Sequence, residues 1–226
     1  MKKWMMLLLA AIMVFTSTAA LAEDGLKAVD EIAYVVTDSA NGRALIYVFI
    51  EVENTSDEPL ALGYQSKFTV IDQKGKEYSD GTFMSLYPQS LDPGEKGYVI
   101  PSTYSLTNLK SHEDVADYRY ELVGGKPSYF YCAKYDASIE IIDDKPYVKV
   151  SNPTNDTLYN PSMGVVFRGD NGELLHVETN YLYDYGIPAG MSVYVDMTPR
   201  KEVRDFFATN GLTLNPAECF AYVTTY

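Results

Sequence analysis

Histidine, cysteine, tryptophan and positive charge are all scarce in this chain, and each scarcity removes a class of function. There are 2 histidines, 2 cysteines and 1 tryptophan among 226 residues. Neither His112 nor His176 stands at ligand or catalytic spacing from a second histidine or cysteine. His112-Glu113-Asp114 lacks the partner histidine of a zinc-protease helix and reads as a solvated turn. His176 lies beside Leu174, Leu175 and Val177 and reads as an ordinary sheet histidine. No G-x-S-x-G elbow, phosphate-cradling glycine loop or dinucleotide fingerprint occurs. No catalytic residue, cofactor or metal site is therefore assigned. Acidic turns at Asp72 and Glu77, at Asp143 and Asp144, and at Asp170 and Glu173 raise calcium as an idea. None of them supplies the alternating acids of a calcium loop, and Asp-Asn-Gly is also a good hairpin turn.

Bases number 18 against 31 acids. Such a balance repels nucleic acid and anionic membrane surfaces, so neither is an expected partner. Long apolar runs are missing too, with one exception at the start. Lys2 and Lys3 precede an apolar stretch from Trp4 to Phe15, and Ala20-Leu21-Ala22 supplies a small-residue cleavage site. The stretch is shorter than the roughly 20 apolar residues of a spanning helix. Residues 1–22 are read as a secretory signal peptide, and the mature protein as secreted or extracytoplasmic without a membrane span. Cleavage removes two lysines and no acid, leaving 16 bases, 31 acids and a net charge of −15.

What the chain has in quantity is tyrosine, 20 residues, together with well-spaced Gly, Asn, Asp and Pro, a composition that points to β structure. Its most informative stretch is Ile50 to Leu60, where apolar and polar residues alternate and Asn54 opens a polar turn. Val148 to Leu158 echoes it. Ile50 and Asn54 match Val148 and Asn152 at an offset of 98; Phe68 and Gly75 match Val165 and Gly172 at 97; Leu91, Gly94 and Tyr98 match Ile187, Gly190 and Tyr194 at 96. A drift by single residues, each falling in a turn, is how a duplicated domain loses loop residues while its strands keep their order. The spacing of strands and polar turns predicts an all-β chain of two sandwiches, residues 23–125 and 126–226, with a boundary at Gly124-Gly125-Lys126-Pro127. One helix is expected near the carboxyl end, with Thr198 as cap, Pro199 at the first position, Val203, Phe206 and Phe207 on one face and Asn210-Gly211 as its stop. Ser111 to Val115 reads as a weaker counterpart. These helices are expected to close the ends of the sandwiches.

Asn54-Thr55-Ser56-Asp57 after an alternating strand, Phe68-Thr69-Val70-Ile71-Asp72 with Gly75, and Leu91-Asp92-Pro93-Gly94-Glu95 resemble the FxLYD type of exported Ig-like module and its telokin-like relatives. Val70 and Ile71 replace the Leu and Tyr of the name motif. The second copy keeps Asn152, Gly172 and Ile187-Pro188-Ala189-Gly190, but Val165-Val166-Phe167-Arg168-Gly169 loses that motif. The resemblance covers about half of each repeat and implies a small Ig-like sandwich in an exported or envelope protein. It implies no catalytic residue.

Two features remain as candidates for function or special chemistry. Tyr181, Tyr183 and Tyr185 fall at period two, so an extended backbone places them on one face, and such a row can dock a sugar or a peptide. Sheet packing is the competing reading. By the offset of 96 their counterparts are Ser85, Tyr87 and Gln89. Tyr129, Tyr131 and Tyr135 form a similar series. Cys132 and Cys219 lie in the first and last strands of the second repeat, and a disulfide between them is expected, with two free buried thiols as the alternative. The functional expectation is an exported, non-enzymatic binding or accessory protein that meets a protein, peptide or glycan at the cell exterior. The alternatives are an exported hydrolase with an unrecognised nucleophile and a structural spacer or assembly subunit.

Overall fold

The computed structural model describes residues 25–40, 42–79, 83–102, 109, 114–127 and 131–225. The expected signal peptide, the turn residue Asn41, His112, most of the weak helix at 111–115 and Tyr129 lie outside them. The amino-terminal half forms β1 (Leu26–Thr37), β2 (Ala44–Asn54), β3 (Leu60–Leu62), β4 (Lys67–Asp72), β5 (Glu77–Tyr78), β6 (Phe83–Tyr87), β7 (Ser90–Leu91), β8 (Lys96–Ser102), β9 (Val115–Glu121) and β10 (Gly124–Gly125). The carboxyl-terminal half forms β11 (Tyr131–Lys134), β12 (Ala137–Ile142), β13 (Lys145–Ser151), β14 (Leu158–Tyr159), β15 (Ser162–Arg168), β16 (Leu174–Tyr181), β17 (Gly186–Ile187), β18 (Ser192–Asp196), α1 (Lys201–Thr209) and β19 (Asn215–Thr225). The chain is thus mostly β, with antiparallel sheets and one short helix close to its carboxyl end.

Strand order repeats between the halves. Sheets β1-β2-β8-β6, β5-β4-β9 and β10-β3-β7 in the first correspond to β12-β13-β18, β16-β15-β19-β11 and β14-β17 in the second. Strands β6, β10 and β11 are edge additions without counterparts. The alternation read from the sequence produces this arrangement directly. Ile46, Val48, Ile50 and Val52 of β2 point into one core with Phe68, Val70 and Leu91. Val148 and Val150 of β13 point into a second core with Val165, Phe167 and Ile187. Between β12 and β13, Asp143 and Asp144 carry φ of 50° and 59°, the pair of left-handed residues that a two-residue hairpin turn requires.

The repeated asparagine has a repeated task. Asn54 Nδ2 donates to the carbonyls of Glu58 at 2.8 Å and Leu91 at 2.9 Å, and Asn152 Nδ2 donates to those of Asp156 at 2.8 Å and Ile187 at 2.7 Å. Each side-chain oxygen accepts from the hydroxyl two residues on, Ser56 at 2.8 Å and Thr154 at 2.6 Å. Gly94 N donates to Asn54 O at 2.7 Å and Gly190 N to Asn152 O at 2.9 Å, from glycines at φ 75° and 70° that no β-branched residue would adopt. Each Asn thus ties the end of one sheet to the neighbouring small sheet.

The halves share a third core. Sheet β1-β2-β8-β6 is covered on both faces, and its second face sets Tyr34, Phe49 and Tyr98 against Val166, Leu174, Leu175 and Val177 of the other half. Helix α1 packs into this same core through Val203 and Phe207, while Phe206 stacks on Tyr34 with ring centroids 5.0 Å apart. The helix therefore seals the contact between halves and does not close the end of a sandwich. It starts later than its sequence implies, at Lys201, with Arg200 at the cap position and no side-chain capping bond from Thr198.

Three other expectations change. The alternating sequence from Tyr129 to Ile142 reads as one strand, but its described part, from Tyr131 on, is two: β11 and β12 belong to different sheets, and the chain crosses between them at Tyr135 and Asp136. Gly124 and Gly125 are not a free linker, because as β10 they pair with Leu62 and Ala61. The disulfide between Cys132 and Cys219 is absent, and both thiols are free. Their strands do pair, but Cys132 stands opposite Thr224 on β19, five positions along from Cys219. At about 3.3 Å per residue that separation is far beyond the reach of a disulfide.

Candidate functional site

A groove opens where the end of β6 meets the carboxyl-terminal half. Its cavity volume is about 870 Å³. Tyr87 and Gln89 border it from one half, and Tyr135, Tyr159, Tyr181 and Tyr222 from the other. Several features hold the two sides together. The Tyr87 ring lies 6.4 Å from Phe220, which in turn stacks with Tyr98 at 6.2 Å and Tyr222 at 6.5 Å. Thr224 Oγ1 donates to Gln89 Oε1 at 2.9 Å. Phe220 reaches this place because Gly164 lies beneath it; a Cβ there would stand 2.2 Å from the ring. Tyr222 forms the floor, 1% exposed, and burial pushes its phenol well above the usual range.

The tyrosine row is exposed, at 48% for Tyr181, 68% for Tyr183 and 71% for Tyr185. It is not extended throughout. Strand β16 ends at Tyr181, opposite Ser162, and residues 182–185 turn with Asp184 at φ 59°. Tyr181 faces the groove and the Tyr183 ring lies tilted beside it, ring centroids 5.8 Å apart. The backbone of Tyr185 accepts a hydrogen bond from Asn160 N at 3.0 Å on the adjoining wall. Ser85 and Tyr87 occupy a different setting, in β6 paired with β8, so the offset of 96 does not make them structural equivalents of Tyr181 and Tyr183. The fold instead brings Tyr87, Gln89 and Tyr181 to one cavity. Of the earlier series Tyr135 reaches the groove, while nothing in the sequence spacing pointed to Tyr159, Tyr222 or Gln89, which arrive from distant strands.

The second polar feature lies at the contact between halves. His176 is 2% exposed; its Nδ1 lies 2.7 Å from Tyr34 Oη and its Nε2 lies 3.0 Å from Glu178 Oε2. A neutral imidazole satisfies both, accepting from the phenol and donating to the carboxylate. Burial, then the neighbouring Tyr47 and Glu178, raise the Tyr34 phenol well above its ordinary value. Tyr47 and Phe206 stack on Tyr34 at 5.2 Å and 5.0 Å, which shuts it from solvent. The geometry is that of an internally satisfied network joining β1 to β16, not of an accessible acid or base.

Arg168 makes the other link. Its guanidinium donates to Glu51 Oε2 at 2.9 Å and Glu218 Oε1 at 2.8 Å, and Lys96 Nζ donates to Glu51 Oε1 at 2.8 Å. Burial alone would raise the Glu51 carboxyl, which is 2% exposed, but the bonds from Lys96 and Arg168 outweigh it and hold the pKa below the ordinary value.

Asp72, Glu77 and Asp170 of the acidic turns are engaged by neighbouring groups. Asp72 Oδ1 accepts from Lys74 N at 2.8 Å and Lys76 N at 2.9 Å, and its Oδ2 accepts from Tyr78 Oη at 3.0 Å. Glu77 pairs with Arg119, and Asp170 accepts from Asn215 Nδ2 at 2.9 Å. Among the described residues no group of three or more His, Cys, Asp and Glu side chains is placed to hold a metal ion. No helix among them is long and apolar enough to cross a membrane. Burial raises both the Cys132 and the Cys219 thiol, which leaves them poor nucleophiles. No protein-family model matches the sequence, and no curated protein is significantly similar to it.

Proposed function

We propose that the protein is an exported, non-enzymatic binding protein built from two tandem Ig-like modules, and that the groove at Tyr181 is its recognition surface. The modular reading is supported by the repeated strand order and by the matching bonds of Asn54 and Asn152. Export is supported by the basic, apolar and small-residue sequence of residues 1–22. One observation carries the assignment of the site: Tyr159 and Tyr181 are exposed at a cavity that both halves build, and Tyr183 and Tyr185 are exposed on the turn that follows Tyr181, where tyrosines needed only for packing would be covered. Clusters of exposed aromatics beside a concavity are characteristic of recognition surfaces.

The double variant Tyr181→Ser, Tyr185→Gln tests this. Its stability in chemical denaturation should stay within about 0.5 kcal/mol of the parent, because truncation at exposed positions removes little packing. On a panel of immobilised polysaccharides and peptides, the parent should be retained by at least one polymer and the variant should not. A large fall in stability would return the tyrosines to a packing role, and equal retention of parent and variant would remove the groove from the binding surface.

A further inference from the structure

We infer that the groove takes an uncharged oligosaccharide chain, and that the chain runs on past Tyr87 and Gln89 into the neighbouring cavity beside Tyr64. This rests on the reading of the groove as a recognition surface and gives its ligand a chemical class.

Charge carries the first step. After loss of residues 1–22 the chain holds 31 acids and 16 bases, yet among the described residues Asp156 is the only charged one at the border of the groove. The adjoining cavity, about 680 Å³, has Lys126 as its only charged border residue among the described residues, and that ammonium is paired with Glu58 at 2.8 Å. An anionic polymer would meet the field of an acidic protein with no local cation to offset it, and a cationic one would find denser carboxylates elsewhere on the surface. A local gap in charge on so acidic a surface fits a neutral ligand.

The remaining border is a mixture of aromatic faces with hydroxyls and amides. Gln89, Thr154, Asn160, Ser162 and Asn180 stand among Tyr135, Tyr159 and Tyr181. The flat C–H face of a sugar ring packs on a tyrosine ring, while its hydroxyls need neutral donors and acceptors of just these kinds. Extended peptides are held differently, by the backbone of a free strand edge and by apolar pockets for alternate side chains. Leu158 and Val223, the aliphatic residues at this border, are 5% and 8% exposed and offer little to such side chains.

Continuity supplies the length. Tyr87 and Gln89 border both cavities, so the two adjoin at these side chains and a ligand crossing them passes from one to the other. At the far side Tyr64 is 96% exposed, an aromatic ring that none of the described residues covers. A ligand several sugar units long can touch Tyr159 and Tyr181 at one end and Tyr64 at the other, whereas a disaccharide cannot.

Calorimetric titration of the full mature chain would test this, using neutral hexasaccharides of β-glucan, α-glucan, xylan and chitin and the matching disaccharides. Polygalacturonate and neutral Gly/Ser-rich and Pro-rich peptides serve as the competing classes. At least one neutral hexasaccharide should bind, about tenfold or more tighter than its disaccharide. Tyr181→Ser should weaken it by about tenfold or more, and Tyr64→Ala should weaken the hexasaccharide by about threefold or more, with both variants keeping the parent melting temperature. Equal affinity for both lengths, or no effect of Tyr64→Ala, would overturn the continuous chain. Binding of a peptide or of polygalacturonate without any neutral sugar, if lost in Tyr181→Ser, would overturn the ligand class and leave the recognition surface standing. Silence from every probe would overturn both.

Discussion

Asn54 and Asn152 are each fully buried, and each donates one amide hydrogen to a buried main-chain carbonyl, Leu91 or Ile187, and the other to a carbonyl nearer the surface, Glu58 or Asp156. Replacing either with Ala leaves the buried carbonyl of Leu91 or Ile187 without this donor and removes the acceptor of the Ser56 or Thr154 hydroxyl, and unfolding by urea should show a loss of about 2 kcal/mol for each variant. The two sites share no partner, so the double variant should lose close to the sum. Gly164 makes the opposite demand, for absence of a side chain. With Phe220 across it, Gly164→Ala should cost about 1–3 kcal/mol through overpacking, measured as a lower denaturation midpoint. The asparagines were legible in the sequence because an Asn after an alternating strand appears twice at one offset. Gly164 was not, since its reason lies in a residue of another strand, Phe220, and no local pattern announces a cross-strand clash.

Elements were legible wherever one face met a core and the other met solvent. Strands β2 and β13 followed from alternation alone, and α1 from the spacing of Val203, Phe206 and Phe207. Register and partnership were not legible, because they depend on which strands lie side by side. The cysteines show this: the pairing of β11 with β19 was anticipated, yet the alignment along those strands sets Cys132 opposite Thr224. Titration of the denatured, unreduced protein should accordingly find two free thiols, and a reducing agent should leave the melting temperature unchanged. The row at Tyr181 failed at the same level. Period two implies a shared face only while the backbone stays extended, and β16 stops at the first of the three. The groove itself could not be read, since Tyr87, Tyr159 and Tyr222 are brought together by the packing of the halves.

The molecule as a whole is joined by an apolar core and by a buried charge cluster. Arg168→Met should cost on the order of 3 kcal/mol, because Glu51 would keep its charge in a buried place with Lys96 alone to balance it. Stability should also depend on acid in a defined sense. The folded Glu51 carboxyl titrates below its ordinary value of 4.5, so the stabilisation is complete above that pH and is lost as the pH falls beneath it. Denaturation midpoints followed downward from neutral pH should fall in that range, and less steeply in Glu51→Gln. The contact between halves has one more consequence. It joins unlike faces, the outer side of β2 and β8 on one half to β15 and β16 on the other. A head-to-tail joint of this kind does not close on itself, and in principle a third unit could add to the second, and a fourth to the third. The pairing register shows how the corresponding outward positions differ. Where Glu51 lies opposite Tyr98 in the first half, Lys149 lies opposite Tyr194 in the second, and Tyr47 and Ile100 give way to Lys145 and Asp196. At the other extremity Leu174 has Glu77 as its counterpart, paired with Arg119. Charge thus stands on the outward faces at positions whose counterparts Tyr47, Ile100 and Leu174 are apolar or aromatic in the contact between halves, and a charge there disfavours the same joint being made again.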